Sequence, residues 1–425
     1  MSRITVDHSK RCLMRGGKPF FYLADTLWMA FSKLTLSEWE EILLLRRMQR
    51  FTVLQISALP ISHDNSEDAD DIKPFSVDSQ GRLAFSRIND AYFDKACQML
   101  DMAVHHGLTP CIHLLWCNYV PGTWPTAYHS QPTMPLDAAL AFTAYAVKRF
   151  RPYQVLYSIS GDTDFPPEHA EKYYGQAIDV LRAEDPDALV TLHSQPLTVL
   201  PPSLAAKLDF YTYQGGHMRS GIQHTNQYRL AQTCWELPGS KPVINTEPPY
   251  DAHAWGHQYE RFGSFELRCA MWQSLLSGAH AGIGYGAHGL WSMHRQGQHF
   301  SSVPFSGQPL DWRMALRLEG AWEAGHLRTM WEQYDLFDLK PLPDLPDHSE
   351  TIRMARNDRW DVLYVPYPCD IRLSDDLTGR EIHLYELTNK RRLQPEVRHE
   401  PAGTTLLMPQ VNSDVVYLIR RWHTI

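Results

Sequence analysis

The sequence predicts an α/β fold: a (β/α)8 TIM barrel followed by a small C-terminal antiparallel β-sandwich. Three observations predict it. Eight short apolar segments alternate with helical segments along the first three quarters of the chain. Several of those segments are apolar throughout, as strands covered on both faces must be. Beyond the Pro-rich stretch that starts at Asp338, the pattern changes to short strands with no helix between them. The expected division is 1–337 for the barrel with an N-terminal β-hairpin and 338–425 for an accessory sandwich. A doubly wound open sheet is the alternative, but no strand leads through a Gly-x-Gly-x-x-Gly turn into a helix.

The elements run in order along the chain. Residues 3–19 read as a hairpin, with Ile4-Thr-Val, Cys12-Leu-Met, a turn at Gly16-Gly17 and a stop at Pro19. Phe20 to Asp25 is the first barrel strand. A helix from Thr35 to Met48 has Ser37 as its expected N-cap and Glu40 in capping-box position. Phe51 to Ser57 is strand two. The long acidic loop from Ala58 to Arg87 is of a length that usually signals function. A helix from Asp90 to His106 closes at Gly107, and Thr109 to Trp116 is strand three. Leu136 to Arg149 is helical, and Gln154 to Ser160 is strand four. A helix from Pro166 to Ala183 precedes strand five, Ala188 to His193. Leu208 to Tyr213 is strand six, after a short helix near Ser203. Asn226 to Cys234 is helical and Pro242 to Thr246 is strand seven. Gly263 to Ser277 is helical and Ala281 to Tyr285 is strand eight. One long helix is expected from Asp311 to Gln333. The sandwich strands are expected at Thr351 to Ala355, Trp360 to Tyr367, Glu381 to Tyr385, Thr404 to Met408 and Val415 to Ile419.

The bulk properties exclude several function classes. The 425 residues carry a formal charge of −8 and no basic run, which argues against a nucleic-acid partner. No apolar run approaches the roughly 20 residues that a membrane helix needs. The N-terminus, Met-Ser-Arg-Ile-Thr-Val-Asp-His-Ser-Lys, shows no apolar core of a signal peptide. The seven cysteines are odd in number and scattered, as reduced thiols are. Both features lead to an expectation of a cytoplasmic protein. Hydrophobic residues make up 44%, enough for a large core, and aromatic residues 12%.

In a β/α barrel the C-terminal strand ends carry the chemistry. Two of them end in a carboxylate. Strand four runs into Ser160-Gly161-Asp162 and strand seven into Asn245-Thr246-Glu247. In one parallel barrel both open onto the same mouth. An acid/base and a nucleophile there are the minimum equipment for cleaving a glycosidic bond with retention. Asp162 is the candidate acid/base and Glu247 the candidate nucleophile. Asp164 is the weaker rival of Asp162 and suits a turn or helix cap better. Other strand ends supply candidates for binding a carbohydrate: Asp25, Trp28, His113, Trp116, His193, Gln214, His217, Tyr250, His288 and Trp291. Trp291 is the leading stacking platform, and Trp124 is a weaker one. No cofactor is called for. A metal-dependent barrel hydrolase would want His-x-His at the end of strand one, where the chain has Ala-Asp-Thr-Leu-Trp, and there is no His-Glu-x-x-His or Cys-x-x-Cys. A catalytically inactive carbohydrate-binding barrel is the rival from another class.

With these residues in view, the chain resembles the apiosidase-like glycoside hydrolases of family 140. The matching stretches are Gly17-Lys-Pro-Phe-Phe-Tyr-Leu-Ala-Asp-Thr-Leu-Trp28, Ser160-Gly-Asp162, Tyr213-Gln-Gly-Gly-His217, Asn245-Thr-Glu-Pro248 and Gly284-Tyr-Gly-Ala-His-Gly-Leu-Trp291. Ser160 stands where the family usually has glycine, and Gln-Gly-Gly-His where Gln-Ser-Gly-His is commoner. The resemblance implies a retaining barrel enzyme acting on plant-type glycans, with Asp162 as acid/base and Glu247 as nucleophile. It also implies a C-terminal β domain.

Overall fold

The computed structural model describes residues 2–63, 72–127, 132–166, 168–218, 225–254 and 260–422. Eight parallel strands form one sheet: β1 (Tyr22–Thr26), β2 (Val53–Ser57), β3 (Thr109–Trp116), β4 (Leu156–Gly161), β5 (Val190–Thr191), β6 (Tyr211–Gln214), β7 (Val243–Glu247) and β8 (Gly282–Tyr285). Their spatial order is β5-β4-β3-β2-β1-β8-β7-β6. That is the order of a barrel opened at one seam. At the seam, Asp209 N–H donates to Val190 O at 2.9 Å and Thr191 Oγ1 to Phe210 O at 2.9 Å, so the barrel is nearly closed. Outside it lie α1 (Leu36–Met48), α2 (Asp90–His105), α3 (Leu136–Phe150), α4 (Ala170–Glu184), α5 (Asn226–Glu236), α6 (Ser264–Leu276) and α7 (Gly320–Tyr334).

Side chains alternate across each strand. Tyr22, Ala24, Val53, Cys111, Leu156 and Ile244 meet in the lumen, while Leu23, Leu54, Ile112, Tyr157 and Val243 pack in the outer layer with the helices. The N-terminal segment closes the lumen from below. It is three strands, Ile4–Asp7, Cys12–Arg15 and Lys18–Phe20, rather than a two-stranded hairpin. Gly16-Gly17 turns the second strand into the third, because both glycines take the left-handed conformation that a tight turn needs. Ile4, Leu13 and Phe20 join the lumen cluster, which leaves the opposite, C-terminal face open for a site.

Several expected boundaries move for local reasons. Thr35, not Ser37, caps α1. Its side chain accepts from Glu38 N–H while the Glu38 carboxylate accepts from Thr35 N–H, so the capping box is complete two residues earlier than expected. The helix after strand four starts at Ala170 rather than Pro166, after Phe165 has turned left-handed. The long loop contains a two-stranded ribbon, Phe75–Val77 with Leu83–Ile88. The single helix expected from Asp311 to Gln333 is two, Trp312–Ala315 and α7. The break lies before Gly320, whose N–H donates to Asp251 Oδ2 at 3.0 Å and whose missing Cβ would sit 2.5 Å from that oxygen.

The C-terminal region is two antiparallel sheets. One has the order β9 (Lys340–Pro341), β10 (Arg353–Arg356), β11 (Trp360–Val365), β17 (Val415–Arg420), β13 (Ile382–Glu386), β14 (Arg391–Leu393). The other is β12 (Ile371–Leu373), β16 (Gly403–Leu406), β15 (Val397–Glu400). They share a core that includes Leu363, Val365, Ile371, Leu406, Tyr417 and Ile419. The alternate residues of the large sheet, Val362, Tyr364, Val416 and Leu418, pack into the main core with the barrel helices. Within the Pro-rich stretch, Lys340–Pro341 forms the edge strand of the larger sheet. Pro341 pairs with Ala355, a place where a residue without an N–H is tolerated.

Candidate active site

Glu247 ends β7. Strict alternation would send it outward with Asn245, whose side chain bonds Gln227 and Ser274. The ladder between β6 and β7 slips instead: Tyr213 faces Asn245, but Gln214 faces Glu247. The extra residue, Thr246, bulges and re-aims the side chain after it. Asn245 Oδ1 holds the bulge by accepting from Gly215 N–H at 3.2 Å and Glu247 N–H at 3.3 Å. Glu247 thereby turns to the mouth, where it is 6% exposed.

Among the described residues, Gln214, His217 and His193 approach its carboxylate, with Tyr250 beside them. Gln214 Nε2 donates to Oε1 at 3.1 Å, and His217 Nε2 lies 2.9 Å from the same oxygen. His193 Nε2 lies 2.9 Å from Oε2. His217 Nδ1 accepts from Tyr250 N–H at 3.3 Å, which leaves Nε2 as the donor to Glu247. Burial pushes the Glu247 carboxyl upward, but hydrogen bonds from His193 and His217 outweigh it and hold the group well below the usual carboxylate range. The balance at Glu247 favours the ionised form.

Aromatic side chains form a closed circuit around the mouth. Trp28 packs on Trp116 with centroids 5.0 Å apart, Trp116 on His63 at 6.0 Å, and His63 on Trp291 at 6.5 Å. From Trp291 the contacts run to His288 at 6.3 Å, His253 at 4.9 Å, His217 at 4.4 Å and Tyr250 at 4.4 Å. Trp28 Nε1 donates to Tyr250 OH at 3.0 Å and closes it. Glu247 joins the circuit at His217. Asp162 joins at His63, whose Nε2 is 3.1 Å from Asp162 Oδ2. Glu247 also meets the circuit through His193, whose ring stacks on Trp116.

Asp162 follows Gly161 in a left-handed turn with φ +47°, a conformation that aspartate accepts more readily than most residues. Gly161 is required there. A Cβ on it would stand 2.1 Å from the Trp116 ring, which stacks on His193. Trp124 Nε1 donates to Asp162 O at 2.8 Å, and Trp124 N–H to Asp164 Oδ1 at 3.2 Å. Asp164 and Trp124 thus brace the turn, and Asp162 keeps its carboxylate for the mouth, 8% exposed.

The structure brings together Trp28, Trp116, His193, Gln214, His217, Tyr250, Trp291, Asp162 and Glu247. His113 and His288 stand behind them, buried. His113 Nδ1 contacts Ser160 O at 3.1 Å, and its ring sits edge-on to Trp28; burial and the neighbouring His193 keep it neutral. His288 Nδ1 accepts from Trp291 Nε1, its Nε2 donates to Gly307 O, and burial brings it down to about 3. His288 therefore props the wall with both ring nitrogens engaged, while His113 Nε2 is buried with no hydrogen-bond partner among the described residues. Asp25 does not reach the mouth. It follows Ala24 on the outward phase of β1 and pairs with Arg46 Nε on α1 at 2.6 Å, wholly buried. The expectation that it binds a sugar is corrected by that alternation.

His63 and His253 were not singled out in the sequence. His63 lies in the long loop after strand two, where no periodicity marks a position, and the loop's length was its only signal. His253 lies six residues past Glu247. Its Nδ1 is 2.7 Å from Ala254 O, and burial keeps the ring neutral. Among the described residues no group of three His, Cys, Asp or Glu side chains could hold a metal ion.

Comparison with known proteins gives this site a family. No curated protein matches the sequence. A solved structure described as a glycoside hydrolase superposes with a TM-score of 0.77 at 17% identity, over 98% of this chain and 97% of that one. A glycoside hydrolase family 5 protein from Bacteroides vulgatus gives 0.79 at 18% identity, over 100% and 95%. A family 30 subfamily 8 xylanase from Clostridium acetobutylicum gives 0.50 at 10% identity, over 95% and 96%. At such identities the likeness is one of fold. A family model for the apiosidase-like catalytic domain matches residues 7–338. With most of its length under that model, the chain belongs to the apiosidase-like glycosidases.

Proposed function

We propose that this glycosidase cleaves its substrate with retention, Glu247 acting as nucleophile and Asp162 as acid/base. The observation that carries the reading is the unequal setting of two carboxylates at one mouth. Glu247 is held ionised by Gln214, His193 and His217. Among the described residues, Asp162 has one side-chain partner at its carboxylate, the His63 imidazole. In the first step Asp162 protonates the glycosidic oxygen while a Glu247 oxygen bonds to the anomeric carbon. In the second, Asp162 takes a proton from water, whose oxygen displaces Glu247. The donors that keep Glu247 a weak base also make it a good leaving group. Trp28, Trp291 and Tyr250 supply aromatic surface that suits the C–H faces of a sugar ring. The substrate class we propose is a plant-type oligosaccharide or glycoside, with apiose first to be tried because of the family.

A panel of 4-nitrophenyl glycosides led by the β-apioside tests the substrate. Glu247→Gln is expected to cut turnover by about 10⁴-fold or more while binding survives. Turnover that survives the change would overturn the assignment. Asp162→Ala is expected to lose about 10²- to 10⁴-fold on poor leaving groups and far less on 4-nitrophenol. Proton NMR of the first-formed anomer reads the stereochemistry, and an inverted product would sink the double displacement.

We further place the enzyme in the cytoplasm. All seven cysteines are free, as a reducing compartment leaves them. No helix among the described residues is long and apolar enough to cross a membrane. Fractionation of the source cells, with the activity recovered outside the cytoplasm, would contradict this.

A further inference from the structure

The histidines around the mouth are not equivalent. His217 and His288 each accept an N–H on Nδ1, from Tyr250 and Trp291, so each is committed to one neutral tautomer. His193 Nδ1 contacts Thr246 Oγ1 at 3.2 Å. His63 differs. Its Nε2 faces Asp162 Oδ2, and its Nδ1 is buried with no hydrogen-bond partner among the described residues. Nothing else prescribes which nitrogen carries a proton. The ring is boxed by Trp124 at 5.3 Å, Trp116 at 6.0 Å and Trp291 at 6.5 Å. The backbone is anchored as well: Ser302 Oγ donates to His63 O at 2.6 Å, tying the loop after β2 to the segment after β8.

We propose that His63 is a positioning residue that shares the acid/base proton with Asp162. This rests on Asp162 being the acid/base. The pair carries one exchangeable proton, on Asp162 Oδ2 or on His63 Nε2. An isolated imidazole releases its proton near neutrality, and an adjacent carboxylate delays the release. Two sites, in place of one, can therefore hold the proton. In the first step the proton passes from Asp162 to the glycosidic oxygen, which keeps the electron pair of the broken C–O bond, and a Glu247 oxygen bonds to the anomeric carbon. In the second step water gives its oxygen to that carbon and its proton to the pair, and Glu247 leaves. The proton balance closes without another donor. Among the described residues, the other titratable groups near the pair are Asp164, Cys117 and Tyr174. Asp164 is on the same turn and is engaged with Trp124 N–H. Cys117, just past β3, and Tyr174, on α4, are both neutral, because burial raises them well above their ordinary values.

The test compares pH profiles of kcat/KM for the wild type and His63→Gln on one glycoside with a poor leaving group. Glutamine keeps an N–H donor near Asp162 but cannot hold the extra proton. The alkaline limb is expected to move down by about one pH unit or more, so that activity on the limb falls about tenfold. A merely structural histidine would lower the plateau and leave the limb in place, and that result overturns the inference. If His63→Gln does not fold, ¹⁵N-imidazole NMR of the wild type and Asp162→Asn reads the same coupling. The His63 midpoint is expected to fall when Asp162 is neutralised, and an unchanged midpoint overturns the inference. Asp162→Ala on good and poor leaving groups separates the two levels. Equal loss on both brings down the acid/base assignment and this inference with it. A split between them, with an unmoved alkaline limb in His63→Gln, brings down the inference alone.

Discussion

At Glu247, burial and hydrogen bonding pull the carboxyl in opposite directions, and hydrogen bonding wins. The folded-state pKa is depressed below the unfolded value of about 4.3. A depressed acid contributes stability that is present above its unfolded pKa and is lost as pH falls through the folded one. Wild type is therefore expected to lose stability relative to Glu247→Gln as pH is lowered from about 6 to about 3. Urea unfolding along a pH series measures the difference, and a gap that stays constant would refute the ionised nucleophile. This residue was legible as a carboxylate after an apolar strand. Its ionisation was not, because His193 and His217 come to it from two other strand ends. Asp25 shows the converse. It too ends an apolar strand, yet its pleat phase hands it to Arg46.

Among the elements, β4 and the turn after it depend most on one small residue. Gly161 lets the Trp116 ring lie against the backbone that presents Asp162. Gly161→Ala puts a methyl into that ring. Overpacking of this kind costs about 1–3 kcal/mol in stability. Displacing Trp116 and the Asp162 turn by about 1 Å is expected to cost about 10²-fold in kcat/KM. Thermal melting and kinetics on one preparation test both. Full activity in a folded variant would show that Trp116 does not set the geometry. Strand and helix identities were readable from periodicity, but their ends were not. Thr35 with Glu38 and Ser37 with Glu40 offer the same capping-box spacing, and only the folded chain shows that the Thr35 pair forms the box. Likewise the run from Asp311 to Gln333 has helical composition throughout, and Asp251, remote in sequence, stops it at Gly320.

For the molecule as a whole, the barrel and the sandwich share one apolar interface with a buried ion pair inside it. Trp272 of α6 stacks on Tyr364 of β11 at 6.1 Å and 8°. One turn before it in α6, Arg268 meets Asp414, its Nη2 at 2.8 Å from Oδ1 and its Nε at 3.1 Å from Oδ2; Tyr364 OH donates to Oδ2 at 3.1 Å. Asp414 is wholly buried. Arg268→Met leaves that carboxylate with the Tyr364 and Ser413 hydroxyls and, among the described residues, no cation, a loss expected to cost about 3–5 kcal/mol. We take 1–337 and 338–425 as one folding unit, which makes a single unfolding transition the expected behaviour in both proteins. Two separate transitions, or a stable barrel expressed as 1–337 alone, would contradict it.

The sequence by itself determined the strand–helix alternation, the apolar strands and the two acidic strand ends, because those properties are local and periodic. It also carried the resemblance that the family model upholds. Tertiary structure alone decided which side each strand end faces, through the pleat phase at Asp25 and the bulge at Thr246. It also decided that a histidine from an aperiodic loop meets Asp162, since a contact between distant segments leaves no period in either one to read.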